Sequence, residues 1–443
     1  MPGRERYRND WWALSLMAER SGHPKPNPGD VVRPTSTQEV SEILSRAAAD
    51  RRPVVAWGAG SGVVGAAEPG PDALLVDMGA MAKVLKVDEE SLVFTAQAGI
   101  MGPALERKLG EHSLTLGHFP QSFHLSTLGG WISTKATGQM STLYGGIEER
   151  LLAVEVVLPD GTVVKSKASP RSSTGPDWWR LFLGAEGTLG IVTEATLSAF
   201  RVTDGSVWLC FQPPSFNDGL DLVRRIMQAG VRPAVARLYD ANDAGVNFQG
   251  SFTSLLILRF EGILVVHEVE AVLALAGDVA QVDPKLGEHW WAHRFDAAGT
   301  YRKLLAGDGA LGRYAIVDTM EVAGFWSDLR QLYSSVKLAL ESTGVMVMAH
   351  ASHPYITGSA LYFTFLSGDS KTDKDAEQTY YRVWEVGMRA VLDAGGTISH
   401  HHGVGLLKSG WMAEELGTGL RVLREIKAAL DPNMIMNPGK LGL

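Results

Sequence analysis

The chain has 443 residues, a formal net charge of −8 and a single cysteine, Cys210. A length of this order allows two or three domains with full cores. The acidic balance supplies no field for nucleic acid or an anionic membrane surface, and a lone cysteine excludes an internal disulfide, a CxxC pair and a thiolate metal cluster. The opening "MPGRERYRND" leads into no apolar signal core, and no run approaches the ~18 apolar residues of a spanning helix. A cytoplasmic protein with no transmembrane segment and no nucleic-acid partner is expected.

After residues 1–29, "TQEVSEILSRAAAD" (37–50) carries apolar residues at helical spacing behind a Thr/Ser start, and "RRPVVAWGAGSG" turns β-branched before breaking into glycine. The pattern predicts helix, short strand and glycine loop. Strands are predicted at "ALLVDM", "SLVFTAQAG" and "LLAVEVVLPDGTVV", the last folding back at Asp160-Gly161. Near residue 200 the glycine-dense character gives way to helices at "NDGLDLVRRIMQAG" and "FWSDLRQLYSSVKLALESTG", separated by strands such as "SLLILRFEG". The helix "TYYRVWEVGMRAVLDAGG" ends on a glycine cap, and "LRVLREIKAALDPNMIMNPGK" forms a last helix stopped by Pro432. The fold class is α+β.

Within "WGAGSGVVG", Gly60-x-Gly62-x-x-Gly65 matches the dinucleotide fingerprint to the letter. That fingerprint needs a helix starting at the loop, and Pro69, Gly70 and Pro71 exclude a long one. Two readings remain: a strand-loop-strand whose backbone N–H groups form a nest for a diphosphate, or an ordinary glycine turn. "PQSFHLSTLGGWISTKATGQMSTLYGG" (120–146), with Lys135 its only Lys, Arg, Asp or Glu before residue 147, and "GAEGTLGIVTEATL" (184–197) add two more segments whose backbone can approach a large ligand. Three such segments suit a long cofactor touched along its length.

"TISHHHGVG" (397–405) holds three consecutive histidines. In an extended segment side chains alternate, so His400 and His402 share one face and His401 the other. A zinc site on that face would need a third ligand, for which His350 and His353 of "AHASHP" are candidates. Imidazoles of near-neutral pKa also suit proton transfer.

The order of "AWGAGSG", "PQSFHLSTLGG", "EGTLGIVTEA" and "SHHHGVG" resembles the FAD-binding type-4 (PCMH-type) flavoproteins of the vanillyl-alcohol oxidase superfamily, in particular the alkyl-dihydroxyacetonephosphate synthase branch, from Val31 to Pro438. The resemblance implies an FAD-binding domain of two α+β subdomains (30–200), an α+β cap domain over the flavin (201–395), a C-terminal segment (396–443) returning to the FAD domain, and a homodimer. It places the pyrophosphate loop at Ala56, Trp57, Gly58, Ala59, Gly60, Ser61 and Gly62. Further flavin contacts fall on His118, Pro120, Gln121, Ser122, Ser126, Thr127, Gly129, Gly130, Thr134, Ala136 and Thr137, and on Glu186, Gly187, Gly190, Ile191 and Val192. Where the family has three glycines this chain has Gly58-Ala59-Gly60, so Ala59 must avoid positive φ or the loop is strained by about 1 kcal/mol. The first loop contains no His or Cys for a covalent linkage, so FAD is expected to be non-covalent.

By the same resemblance Tyr355, His400, His401 and His402 are catalytic, with His402 expected to work beside Tyr355 while His400 and His401 sustain the loop. Arg237 in "VARLYD" and Arg302 in "GTYRKLL" are substrate residues, suited to bidentate capture of phosphate or carboxylate. The related flavin-dependent 2-hydroxy-acid dehydrogenases bind a metal through Glu-His-Gly and Gly-Asp-Gly-Asn-Leu-His; this chain has His401-His402-Gly403 and "TGSALY" instead, so no metal is expected. Two activities follow on a small-molecule substrate with an anionic group: exchange of an acyl for an alkyl chain through a flavin N5 adduct, or FAD-linked oxidation of a 2-hydroxy acid or alcohol.

Overall fold

The protein is described by a computed structural model covering residues 4–248 and 250–443. It divides into two compact units. The first takes the chain up to Gly138, Gly145–Val202 and His401–Leu443, and the second Gln139–Tyr144 and Thr203–His400. The sequence reading did not separate the hexapeptide Gln139–Tyr144 from its surroundings, nor did it attach residues 4–29 to the first unit.

The first unit has two main sheets. β1 (Asp30–Val32), β2 (Val54–Trp57) and β3 (Leu74–Asp77) pair in parallel in the order β1-β3-β2. Parallel strands need a crossover, and the helix Thr37–Ala49 supplies it. Ser36, rather than Thr37, caps that helix by accepting from the Glu39 N–H. Its buried Val40, Leu44 and Ala47 recur at one-turn spacing and pack on Val54, Leu74 and Val76, each large aliphatic contributing roughly 1.5–3 kcal/mol. Between β2 and β3 the chain runs as a loop, as the prolines require. The C-terminal segment joins this sheet, since Val54 N–H donates to Ile435 O and Asn437 N–H to Val54 O, each at 2.8 Å.

Of the next seven strands, β6 (Leu114–Thr115) and β10 (Phe200–Arg201) pair with each other. The others, β4 (Val84–Asp88), β5 (Val93–Gln97), β7 (Leu151–Val157), β8 (Val163–Lys165) and β9 (Ile191–Ser198), form an antiparallel sheet ordered β4-β5-β9-β7-β8. The β7–β8 hairpin turns at Asp160-Gly161, where Gly161 has φ +90°.

The second unit is built on one antiparallel sheet of β11 (Val207–Gln212), β12 (Val235–Asp240), β13 (Ser254–Phe260), β14 (Ala280–Val282), β15 (Ile316–Phe325), β16 (Met346–Ser352) and β17 (Gly358–Ser367), ordered β14-β11-β13-β12-β16-β17-β15. Helices Phe216–Gln228, Leu329–Glu341 and Asp373–Asp393 cover one face. Gly219 lies so close to Leu238 that a Cβ would come within 2.4 Å of its Cδ1, and Gly387 stands in the same relation to Met320. Because strand side chains alternate, the neighbours of Leu238 and Met320, namely Arg237, Tyr239 and Glu321, point to the opposite face. There Cys210 is buried against Tyr239, Leu255 and Ile257, and burial pushes its thiol up to about 12. No helix among the described residues is long and apolar enough to cross a membrane.

Candidate active site

In the first unit the three glycine-rich stretches converge. A Cβ on Gly58 would stand 2.4 Å from Thr127 Oγ1, and one on Gly187 would be 3.6 Å from the Ala56 Cβ. β2 and the loop after it therefore lie against both other segments, with a glycine backbone facing a side chain at each contact. Gly60 takes φ +69°, while Ala59 stays out of the positive-φ region, as its side chain demands. Thr127 caps the helix Leu128–Thr134 through the Gly130 N–H. The hydroxyls of Ser122 and Ser126 serve the protein itself: Ser126 Oγ accepts from Trp131 Nε1 at 2.7 Å and donates to Ser122 O. Thr134 likewise donates to Gly130 O. Pro120, Ala136 and Thr137 are buried, Gln121 is exposed, and Gly190 leads into Ile191 and Val192, which begin β9 and pair with Val157 and Val156.

His118 lies in the same unit, 1% exposed, with its ring 4.8 Å from that of Trp131. Among the described residues neither ring nitrogen has a partner, and burial lowers its pKa to about 3. A buried neutral imidazole with an unmet donor and acceptor costs about 1–3 kcal/mol per group. A large polar ligand is what would satisfy it. The backbone-lined walls and this imidazole fit FAD.

Glu186 holds the turn after the histidines. It is buried at φ +49°, and its carboxylate accepts from the N–H groups of Val404 and Gly405 at 2.5 and 2.9 Å. Burial raises its pKa to about 7 against those two bonds. Gly403 and Gly405 have positive φ, and a Cβ on Gly405 would fall 2.2 Å from Val64 O, so the turn docks directly beside the end of the first glycine loop.

The second unit carries a buried polar row on the other face of its sheet. Register places Tyr239 opposite His350, His350 opposite Tyr362, and Tyr362 opposite Glu321 across β12, β16, β17 and β15. Arg237 donates through Nε to Tyr239 Oη at 2.8 Å and through Nη2 to His350 Nε2 at 2.7 Å, while His350 Nδ1 meets Asp243 Oδ2 at 2.8 Å. His350 is lowered in pKa by burial and by Arg237, with Asp243 opposing. His353, buried at φ +54°, contacts Ser141 Oγ at 2.7 Å and Tyr362 Oη at 2.8 Å. Its ring stacks on His400 with centroids 5.6 Å apart. His400 Nε2 lies 2.8 Å from Tyr355 Oη, and its backbone N–H donates to Glu321 Oε2 at 2.5 Å.

Two expectations about the histidines change. His400, expected only to sustain the loop, is hydrogen-bonded to Tyr355. Nor do the three alternate, because residues 400–402 form bends instead of a strand, and the rings of His401 and His402 lie 4.5 Å apart. The candidate third ligands for zinc already use both ring nitrogens, His350 on Arg237 and Asp243, His353 on Ser141 and Tyr362. Among the described residues no group of three or more His, Cys, Asp or Glu is placed to hold a metal. Arg302 is exposed on the helix Ala297–Leu305, whereas Arg237 is half-buried in the row.

Several residues in this unit escaped the sequence reading. Arg259 and Arg294 lie over the Trp291 ring at 4.1 and 3.6 Å, and burial followed by repulsion from Arg259 lowers the pKa of Arg294 to about 10. Glu261 pairs with Arg259 at 3.0 Å, but Arg294 has no carboxylate partner among the described residues. Glu321 and Ser141 were missed as participants because the strand register and the excursion of Gln139–Tyr144 bring them in. The tryptophan pair before Arg294 in "WWAHR" was the one local signal.

A glycine-walled cradle over two small sheets, with a buried neutral imidazole, defines a flavin-binding enzyme fold. The chain belongs to the FAD-linked oxidase family: residues 28–167 match the FAD binding domain and residues 206–441 the C-terminal domain of FAD linked oxidases. It is 31% identical over 436 residues to the FAD-linked oxidoreductase YgcU of Escherichia coli K12, covering 94% of this chain and 89% of that protein. It is also 31% identical over 467 residues to alkyldihydroxyacetonephosphate synthase of Dictyostelium discoideum, covering 96% and 75%. A solved structure of an alkyldihydroxyacetonephosphate synthase superposes with a TM-score of 0.81 at 28% identity, over 98% of this chain and 81% of that one. The protein is an FAD-dependent enzyme.

Proposed function

We propose that the protein is a transferase of the alkyl-dihydroxyacetonephosphate synthase type, exchanging the acyl chain of a phosphate-bearing ketone ester for an alkyl chain. The observation that carries this reading is the Tyr355–His400 pair, a phenol in direct hydrogen-bond contact with the first imidazole of the His-His-His-Gly motif by which the chain resembles that branch. The flavin, when bound, supplies an electrophilic and redox-active ring. The protein supplies the proton transfers. Tyr355 Oη and His400 Nε2 are placed to pass a proton between them, and the Glu321 carboxylate, by accepting from the His400 backbone N–H, keeps that residue in place.

Arg237 is the residue to hold the substrate's anionic group. Its two protein hydrogen bonds go to neutral partners, and among the described residues no carboxylate pairs with this half-buried cation. A phosphate would provide that counter-charge in a charge-assisted bond. The likeness to an FAD-linked oxidoreductase supports a second reading, oxidation of a hydroxylated small molecule with the same pair accepting the proton.

Incubating the FAD-loaded enzyme with an acyl-dihydroxyacetone phosphate and a long-chain alcohol decides between them. Release of fatty acid with formation of the ether, and no net flavin reduction, is the expected result. Anaerobic bleaching of the flavin by a 2-hydroxy acid or alcohol, without ether formation, would replace the transferase with the oxidoreductase.

A further inference from the structure

The match to the FAD-binding family begins at residue 28. The residues before it nevertheless contact the first glycine loop at several points. Trp11 N–H donates to Gly62 O at 2.7 Å. Asp10 is fully buried, accepts from Trp12 N–H at 3.1 Å and lies 3.5 Å from Ala67 N, and its Oδ2 would be 3.1 Å from a Cβ on Gly62. The Trp12 ring fills the space beside Gly65, where a Cβ would come within 2.7 Å of it and where φ is +75°.

The same segment fixes both ends of the loop. Tyr7 packs edge-on against Trp57, the last residue of β2, with ring centroids 5.5 Å apart, and its hydroxyl donates to Asp77 at the end of β3 at 2.7 Å. Beyond the loop, Ser15 and Lys25 both reach the buried carboxylate of Glu68. A glycine-rich loop has many backbone states, and an external wall that selects one of them raises ligand affinity by removing that conformational cost.

We infer that residues 7–12 are a positioning strap that holds the loop Trp57–Gly65 in its FAD-binding conformation, with Asp10 and Trp12 as its principal contacts. The inference rests on reading that loop as the diphosphate loop.

The test is FAD affinity of the full-length apoprotein, followed by flavin fluorescence, together with the urea midpoint of the same apoprotein. If the strap leaves the competent loop conformation only a tenth populated when broken, Trp12→Leu and Asp10→Ala should each weaken FAD binding about tenfold. Asp10→Asn, which keeps an acceptor for the Trp12 N–H, should recover most of the loss. A purely structural segment would lower the urea midpoint while the folded variants bind FAD as tightly as the parent, and that result overturns the inference. Where Trp12→Leu fails to fold by circular dichroism, Trp12→Phe replaces it. Ser61→Asp, placing a negative charge inside the loop, controls for the underlying reading: weakened FAD binding there with unchanged affinity in the strap variants removes the strap alone, and unchanged affinity in Ser61→Asp removes the loop assignment with it.

Discussion

Arg237 donates to Nε2 of His350 at 2.7 Å, so that nitrogen must be the acceptor and the imidazole proton must sit on Nδ1, facing Asp243. The histidine is thereby held neutral. It acts as a bracket for the guanidinium, and Asp243 reaches Arg237 only through it.

Replacing Arg237 with alanine should therefore raise KM for a phosphate-bearing substrate by about a hundredfold or more, the scale of losing a charge-assisted bond of about 3 kcal/mol. The flavin absorbance spectrum should be unchanged. Arg237→Lys should recover little, because a point charge cannot engage Tyr239, His350 and an anion in one plane. Steady-state kinetics on the three proteins checks this, and an unaltered KM in Arg237→Ala would mean the anion is held elsewhere.

Tyr355→Phe and His400→Ala should each lower turnover by about a hundredfold, the usual scale for a lost general acid or base, while FAD content stays normal. The sequence alone pointed to His402 for this role. Motif spacing narrows the choice to three histidines but does not say which way each ring points, and that depends on bends at 400–402 that no periodicity encodes. A comparison of His400→Ala with His402→Ala under single-turnover conditions separates the two.

His118 gives a pH signature. Its pKa is about 3 in the folded protein against about 6.5 in an unfolded chain. Below pH 6.5 the unfolded state takes up a proton that the folded state refuses, so stability is lost as pH falls from 6.5 toward 3. His118→Phe, which keeps a buried ring, should flatten that decline. Urea midpoints of the apoprotein measured across this range test it, and an unchanged slope would show that His118 is not buried as a neutral ring.

Acid precipitation should release the yellow cofactor into the supernatant and leave a chain of unmodified mass. Prolonged EDTA treatment should leave activity unaltered, since His350 and His353 already engage both their ring nitrogens. Activity restored only by added zinc would require that hydrogen-bonded row to rearrange.

Much of the first unit was legible because local chemistry decides it. The capped helix Thr37–Ala49, the proline-enforced loop after β2 and the turn at Gly161 all follow from residues adjacent in sequence. The second unit's site was not legible in the same way. Tyr239, His350, Tyr362 and Glu321 share a row only because four strands pair in one register, and Ser141 reaches His353 only because Gln139–Tyr144 leaves the glycine-rich unit to join the other. Such long-range pairings leave no short motif.

The bonds from Ile435 and Asn437 to Val54 also bear on how the enzyme is made. The first sheet is completed by residues synthesised after the whole of the second unit, so on the ribosome the amino-terminal strands must wait as an unfinished edge. Contacts of such wide sequence separation form slowly, and the intermediate exposes strand edges prone to association. Cofactor uptake should therefore be a late, post-translational event, and flavin supply during expression should govern yield more through rescue of the completed chain than through any effect on its emerging amino-terminal half.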